Sequence, residues 1–370
     1  VAQVVAHLAP PPLAEEWDNV GLQIGQPEEP AGKILVALEV TREVIREAVK
    51  RGATTLLVHH PLIFRPLKNI VGGSATTDLV LSLVREGLSL VVAHTNLDSV
   101  AWGTNGELAD RLKMQAAERR FLRPAKPAPG HLLKYAVFTP ESHVQAVLDA
   151  MASAGGGHIG KYSHCSFRTQ GIGTFKPLEG ADPFLGEVGK VEETAEWRLE
   201  CVVPRERLSA LLLAVRNVHP YEEIAFDVLP MEVPSSADAG LGLVGIVPPQ
   251  TLQSFARSTK KALGISSIGV VGDEATSIRT VAVCTGAGGD IIRNWKPGTA
   301  DVLVTGEMTH HDCAEAAHRG IAVLLVGHYA SEVIVGQRFA DAVSGELSER
   351  GFGAVEVLVS GDERNPLRRM

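Results

Sequence analysis

Four short apolar runs in this chain end on residues that can bind metals or move protons. Thr55-Leu56-Leu57-Val58 runs into His59-His60-Pro61, and Leu90-Val91-Val92-Ala93 into His94-Thr95-Asn96-Leu97-Asp98. Val302-Leu303-Val304 runs into Thr305-Gly306-Glu307, with His310-His311-Asp312 just beyond. Ala322-Val323-Leu324-Leu325-Val326 runs into Gly327-His328-Tyr329-Ala330-Ser331-Glu332. Of the 13 histidines, seven (His59, His60, His94, His310, His311, His318 and His328) fall in or beside these segments. Side chains of successive strand residues diverge, so the adjacent pair His59 and His60 could serve two ions rather than one. His328 and Glu332 stand four apart beside a stretch, Ser331 to Leu347, that predicts a helix, and that spacing puts both on one helical face. With Asp98 and the histidine pair they make a set of N and O ligands suited to Zn, Fe, Mn or Ni rather than to Ca or Mg. Such a set exceeds the three protein ligands of a catalytic zinc. One carboxylate bridging two ions would resolve the surplus, and ions about 3.5–4 Å apart can activate water and hold an oxyanion or phosphate. The plainer alternative is a polar strand-end cluster that holds no metal.

The elements that carry these residues predict an α/β fold. Fully apolar runs alternating with helical patterns argue for a largely parallel sheet, whose ligands bind beyond the carboxyl ends of the strands. Two of the four strand ends precede a distinct middle segment and two follow it. The simplest organisation is one discontinuous α/β domain of two similar halves, residues 1–125 plus 240–370, with residues 130–232 inserted as a second domain. Proline-rich stretches at 122–130 and 230–240 read as the linkers. Within the insert, strands are expected at Lys134 to Thr139, Tyr162 to Phe175, Trp197 to Val203 and Glu223 to Leu229. Helices are expected at Glu141 to Ser153, with Val144, Val147, Leu148 and Met151 on one face, and at Arg205 to Asn217. That order is βαββαβ, a ferredoxin-like arrangement.

Composition narrows the function classes. The chain has 370 residues, 35 Lys plus Arg against 43 Asp plus Glu, and a formal net charge of −8. An acidic balance argues against a protein that neutralises phosphates along a nucleic acid, and an aromatic content of 5% against a base-stacking platform. No apolar run approaches the ~18 residues of a membrane span. The opening residues, Val1-Ala2-Gln3-Val4-Val5-Ala6-His7, lack a charged leader region. Cys165, Cys201, Cys284 and Cys313 form no CxxC pair and read as buried thiols, which suits a reducing cytoplasm. There is no P-loop; the glycine-rich Thr285-Gly286-Ala287-Gly288-Gly289-Asp290 follows a strand and could cradle a phosphate through its backbone N–H groups.

The blocks His59-His60-Pro61-Leu62-Ile63-Phe64, His94 to Asp98 and Gly327 to Glu332 resemble the signature blocks of the GTP cyclohydrolase I type 2 homologs, also called NGG-interacting-factor-like proteins. Leu13-Ala14-Glu15-Glu16-Trp17-Asp18-Asn19-Val20-Gly21-Leu22 matches as well, as does Thr305-Gly306-Glu307 followed by His311-Asp312. The middle segment, with Lys161-Tyr162-Ser163-His164-Cys165-Ser166-Phe167 and His219-Pro220-Tyr221-Glu222-Glu223, is similar to the PII/CutA-like insert of a longer bacterial subgroup. The resemblance implies a dinuclear site in a toroidal homohexamer, holding two divalent transition-metal ions (Zn, Fe or Mn). His59, His60, Asp98, His328 and Glu332 would be the metal ligands, with Glu332 bridging. Glu307 and His311 would lie nearby to position water or substrate as catalytic residues. Two positions depart from the family pattern: Glu39 stands where Asp is common, and Leu241-Gly242-Leu243-Val244-Gly245 lacks a frequent Arg.

The function expected from all this is a metal-dependent hydrolase acting on a nucleotide-like small molecule, GTP by the family's name. Opening a purine ring requires attack on C8 and then release of formate. The rival is a metal-binding regulatory or trafficking hexamer with little catalysis. Nucleic acid and membrane partners are not expected.

Overall fold

The computed structural model describes residues 1–28, 32–125, 132–231 and 238–367. The chain divides into two compact units, Val1–Ala125 with Ser235–Met370, and Lys126–Pro234. The proline-rich residues 126–130 and 232–237, read above as linkers, lie outside the described residues.

The first unit contains two sheets. One has five strands in the order Gly21–Ile24, Ser89–Val92, Ala53–Val58, Lys33–Ala37, Val357–Val359. All its pairings are parallel except that of Gly21–Ile24 with Ser89–Val92. Its central strands are buried on both faces, so their residues alternate between two cores: Ile34, Val36, Leu57 and Val91 on one side, Leu35, Leu56, Val58 and Leu90 on the other. The Arg42–Arg51 helix shows how local sequence fixes an element here. Thr41 accepts the Val44 N–H at its start, Gly52 closes it in a left-handed conformation, and Val44, Ile45 and Ala48 face the sheet.

The other sheet has six strands, in the order Gly269–Val271, Ala322–Leu325, Val302–Glu307, Ser277–Ala287, Gly240–Thr251, Arg120–Pro124. The three middle strands Ala322–Leu325, Val302–Glu307 and Ser277–Ala287 are parallel, and the remaining pairings are antiparallel. This sheet is therefore mixed rather than largely parallel as expected. The long Gly240–Thr251 strand is the reason. It runs antiparallel to both neighbours and shifts register between Ile246 and Gln250, where Pro248 and Pro249 lack the N–H groups a ladder needs.

The expected helix from Ser331 to Leu347 is broken. A helix His328–Glu332 passes through a 3₁₀ turn, Val333–Val335, into a second helix, Gly336–Glu349. The turn consists of three β-branched residues, whose stiff χ1 lowers helix propensity slightly. Ile334 packs against the core beneath the six-stranded sheet and Val335 against that of the five-stranded sheet, so packing draws the turn in two directions.

The second unit has four antiparallel strands in the order Ser166–Phe175, Glu192–Pro204, Leu132–Thr139, Phe226–Pro230. Helices Val144–Ser153 and Leu208–Arg216 lie over them, with Val144, Val147, Met151, Leu211 and Val215 in a shared core. The element order along the chain is strand, helix, strand, strand, helix, strand. Its boundaries differ from expectation in three strands. Tyr162 stands before the second strand, in an isolated bridge with Ile159. The third strand extends back to Glu192, and the last begins only at Phe226. Each helix opens with a short 3₁₀ turn, Glu141–His143 or Arg205–Arg207.

Candidate metal centre

The strand ends of the first unit converge. His59 and His60 follow the Ala53–Val58 strand, His94 follows Ser89–Val92, and Asp98 ends the short helix Thr95–Asp98. His328 and Glu332 come from the other sheet, on the helix that follows Ala322–Leu325. The ring centroids of His59, His60 and His94 lie 5.1–5.7 Å apart, and that of His328 is 5.2 Å from His60.

All four rings are oriented in the same manner. Nδ1 of His59 donates to the Ala93 carbonyl at 2.8 Å, of His60 to Glu39 at 3.1 Å, of His94 to Asp18 at 2.8 Å, and of His328 to Glu307 at 3.1 Å. A carbonyl or carboxylate on Nδ1 fixes the tautomer and leaves Nε2 as the electron-pair donor, the arrangement typical of metal-ligating histidine. Nε2 of His60 and of His328 approach the same Glu332 oxygen, at 2.9 and 3.1 Å, and lie 3.4 Å from each other. With Nδ1 already donating, each Nε2 can face that carboxylate only by taking a second proton or by sharing a cation with it. The other Glu332 oxygen lies 3.9 Å from His59 Nε2, which also stands 3.6 Å from Asp98. His59 Nε2 is buried and has no hydrogen-bond partner. Two groups of three, His59 with His60 and His94, and His60 with His328 and Glu332, have ligand atoms close enough to hold a metal ion.

The electrostatics fit strong mutual attraction. Burial alone would raise the Glu332 carboxyl, but the close approach of His328 and His60, with His59 nearby, outweighs it and holds the group well below the usual carboxylate range. Burial opposes the charged form of His60, yet Glu332 and Glu39 push it up to about 10. The hydrogen bond to Glu332 leads in raising His328 to about 9, against its burial. Asp98 moves the other way: burial, then the nearby Glu332 charge, raises it, while His59 and the Thr104 hydroxyl pull it down. The Thr104 hydroxyl donates to Asp98, and the Asn105 amide donates to the Asp98 carbonyl at 2.9 Å.

Glycines beneath the cluster make room for it. A Cβ on Gly286, whose φ is +66°, would lie 2.4 Å from a Glu332 oxygen. This glycine admits the carboxylate; it does not free the loop for a phosphate. The amides of Thr285, Gly286 and Gly288 are bonded to Asn105, Ser331 and the Glu307 carbonyl at 2.9, 3.0 and 3.1 Å. Three of the six amides in the phosphate cradle read from Thr285 to Asp290 are thus committed to internal bonds.

Of the residues singled out in the sequence, His59, His60, Asp98, His328 and Glu332 are brought together, and Glu307 stands on the cavity wall against His328. His311, expected beside Glu307 to position water or substrate, is not among the described residues that line the cavity. It is exposed in the first turn of His310–His318, ring to ring with His310 at 5.9 Å, and no described contact brings it to the cluster. The Thr309–Asp312 capping box sets that helix start and aims Asp312, rather than His311, inward. His94 belongs to the cluster but was not in the expected ligand set, nor was its anchor Asp18. The strand-end position of His94 was the available signal. Asp18 lies in a loop with no periodic pattern to mark it.

The sequence profile of the Duf34/NIF3 (NGG1p interacting factor 3) family matches residues 1–366. This chain belongs to that family. A Bacillus subtilis Duf34/NIF3 relative named GTP cyclohydrolase 1 type 2 homolog is 38% identical over 367 residues, covering 99% of this chain and 96% of that protein. A Mycobacterium leprae protein of the same name is 39% identical over 340 residues, covering 90% and 86%. The crystal structure of a Bacillus cereus protein related to NIF3 superposes with a TM-score of 0.74 at 34% identity, covering 100% of this chain and 97% of that one. Among the described residues of this Duf34/NIF3 protein, no helix is long and apolar enough to cross a membrane.

Proposed function

We propose that the cluster holds two divalent transition-metal ions and that the protein is a hydrolase acting on a nucleotide-like ring. The observation that carries the reading is the buried, unpartnered His59 Nε2. A buried polar atom without a partner costs about 1–3 kcal/mol, and this one sits among carboxylates with its tautomer fixed by Ala93, as a ligand would be. His59, His60, Asp98, His328 and Glu332 would be the ligands. Glu332 would bridge, because its two oxygens face different histidines. Zn, Fe and Mn all suit the donor set. When bound, such ions supply Lewis acidity and make water acidic enough to react at neutral pH.

The chain's own groups do the rest. Ala93, Glu39, Asp18 and Glu307 hold the four rings in place. Glu307, more than half exposed at the cavity wall, can take a proton from the reacting water or return one to the leaving group at its carboxylate. The relatives' printed name supports GTP as the starting point for a substrate screen. The order of elements in the second unit supports a ferredoxin-like, PII/CutA-like insert, bounded near residues 130–232, and with it a regulatory or metal-trafficking homohexamer as the second reading. The free cysteines favour a cytoplasmic setting.

Elemental analysis of wild type and Glu332→Ala, purified side by side, tests the site. About two ions per chain, lost together in the variant, is the expected result. Wild type that neither carries metal nor takes up Zn, Mn or Fe would overturn the reading. Light scattering on the same samples reads the hexamer.

A further inference from the structure

The cavity over the cluster measures about 1180 Å³, and its wall says what kind of molecule it accepts. Its described lining carries the carboxylates of Glu15, Glu39, Asp98, Asp290, Glu307 and Glu332 against one Lys or Arg, Arg123, besides the histidines of the cluster. Arg123 is already bound to Glu15, and Asp290 to Arg293. The remaining four carboxylates face histidines, and two divalent ions would bring no more positive charge than those four cancel. Phosphate sites are built from free backbone N–H groups together with Lys or Arg. Here the glycine-rich loop has spent the amides of Thr285, Gly286 and Gly288 on internal bonds, and the described lining has no unpaired cation. Beyond the cluster itself, such a wall offers a triphosphate no free Lys or Arg.

An aromatic surface stands at the same cavity. Trp17 and Phe64 line it edge to face with centroids 5.7 Å apart, and Trp17 lies 6.1 Å from the His94 ring. They are 59% and 46% exposed, so their rings are accessible from the cavity. A Trp face beside a polar cluster is a platform for a planar ring whose edge needs hydrogen bonds.

We propose that the cavity takes an uncharged planar heterocycle, a nucleobase or nucleoside without phosphate, with its ring against Trp17 and Phe64 and its polar edge toward the histidines. The inference deepens the hydrolase reading and rests on it for the chemistry, though not for the binding.

The test is isothermal titration calorimetry on the full chain at physiological ionic strength, with guanosine and GTP as probes and metal content measured on the same sample. Guanosine is expected to bind at least about tenfold more tightly than GTP. Trp17→Ala should weaken guanosine binding about tenfold, and Trp17→Phe should restore most of it. Phe64→Leu provides a second variant should Trp17→Ala misfold. GTP binding as tightly as guanosine, or a guanosine affinity indifferent to both aromatic positions, would overturn the proposal. Metal-bearing protein that binds no guanosine also overturns it and leaves the metal reading standing. Guanosine bound by protein that takes up no metal supports it and removes the metal reading instead.

Discussion

Glu47 and Glu332 are both buried carboxylates, 7% and 3% exposed, but their surroundings differ in kind. Glu47 is ringed by hydrogen-bond donors. Arg51 and the Gly361 N–H reach one oxygen at 2.9 and 3.0 Å, and the Ser360 hydroxyl and Asp362 N–H the other at 2.5 and 3.1 Å. Burial raises the group, but these bonds prevail and hold it at about 2. Glu332 has three histidine nitrogens instead, each on a ring already anchored through its other nitrogen. One shell is complete with what the backbone and side chains supply. The other consists of lone-pair donors that converge, and it leaves His59 Nε2 without a partner. The first pattern belongs to a carboxylate that ties down a chain segment, here the segment after the Val357–Val359 strand. The second is a donor set that could hold a metal ion.

Breaking each carboxylate in turn separates the two roles. Glu332→Ala should lower metal affinity by more than about a hundredfold, read by chelator competition, with the far-ultraviolet circular dichroism unchanged. Glu47→Gln should leave metal content untouched but cost on the order of 2–3 kcal/mol in urea unfolding, since it removes the charge its donors surround. The sign with pH follows from the folded-state value lying below the unfolded one. Glu47's contribution is fully present above about pH 4.5 and is lost as pH falls toward about 2. The stability gap between wild type and Glu47→Gln should therefore close across that range. A smaller effect should come from Glu39→Ala, which frees His60 Nδ1 and should weaken metal binding about tenfold. His311→Ala should change neither metal content nor stability beyond about 0.5 kcal/mol. A large effect there would mean that His311 reaches the cluster after all.

The cluster itself was legible because parallel strands deliver their carboxyl-end residues to one edge, and short apolar runs mark those ends in the sequence. The four-residue spacing of His328 and Glu332 was likewise local and survives in a single helical turn. What escaped was non-local. Asp18 meets His94 across a gap of 76 residues, and Glu39 meets His60 from a loop. Neither has a pattern to announce its partner. The glycine-rich loop misled because glycine marks only that a Cβ would not fit. At Gly286 the obstacle is Glu332, which sequence cannot reveal. Similarly, the Arg missing from the Leu241 block is not simply lost: Arg123 lies directly opposite Leu241 on the neighbouring strand and lines the same cavity.

The contact between His60 and Glu332 spans 272 residues, and the five-stranded sheet is completed by Val357–Val359 pairing beside Lys33–Ala37. During synthesis, the early strands and their histidines leave the ribosome long before the groups that close the site. At ~5–20 residues per second the interval is roughly a quarter of a minute to a minute. Throughout it, an exposed histidine cluster with no bridging carboxylate is presented by a sheet that still lacks a strand. Such long-range closure slows folding, and it leaves the cluster complete only in the finished chain.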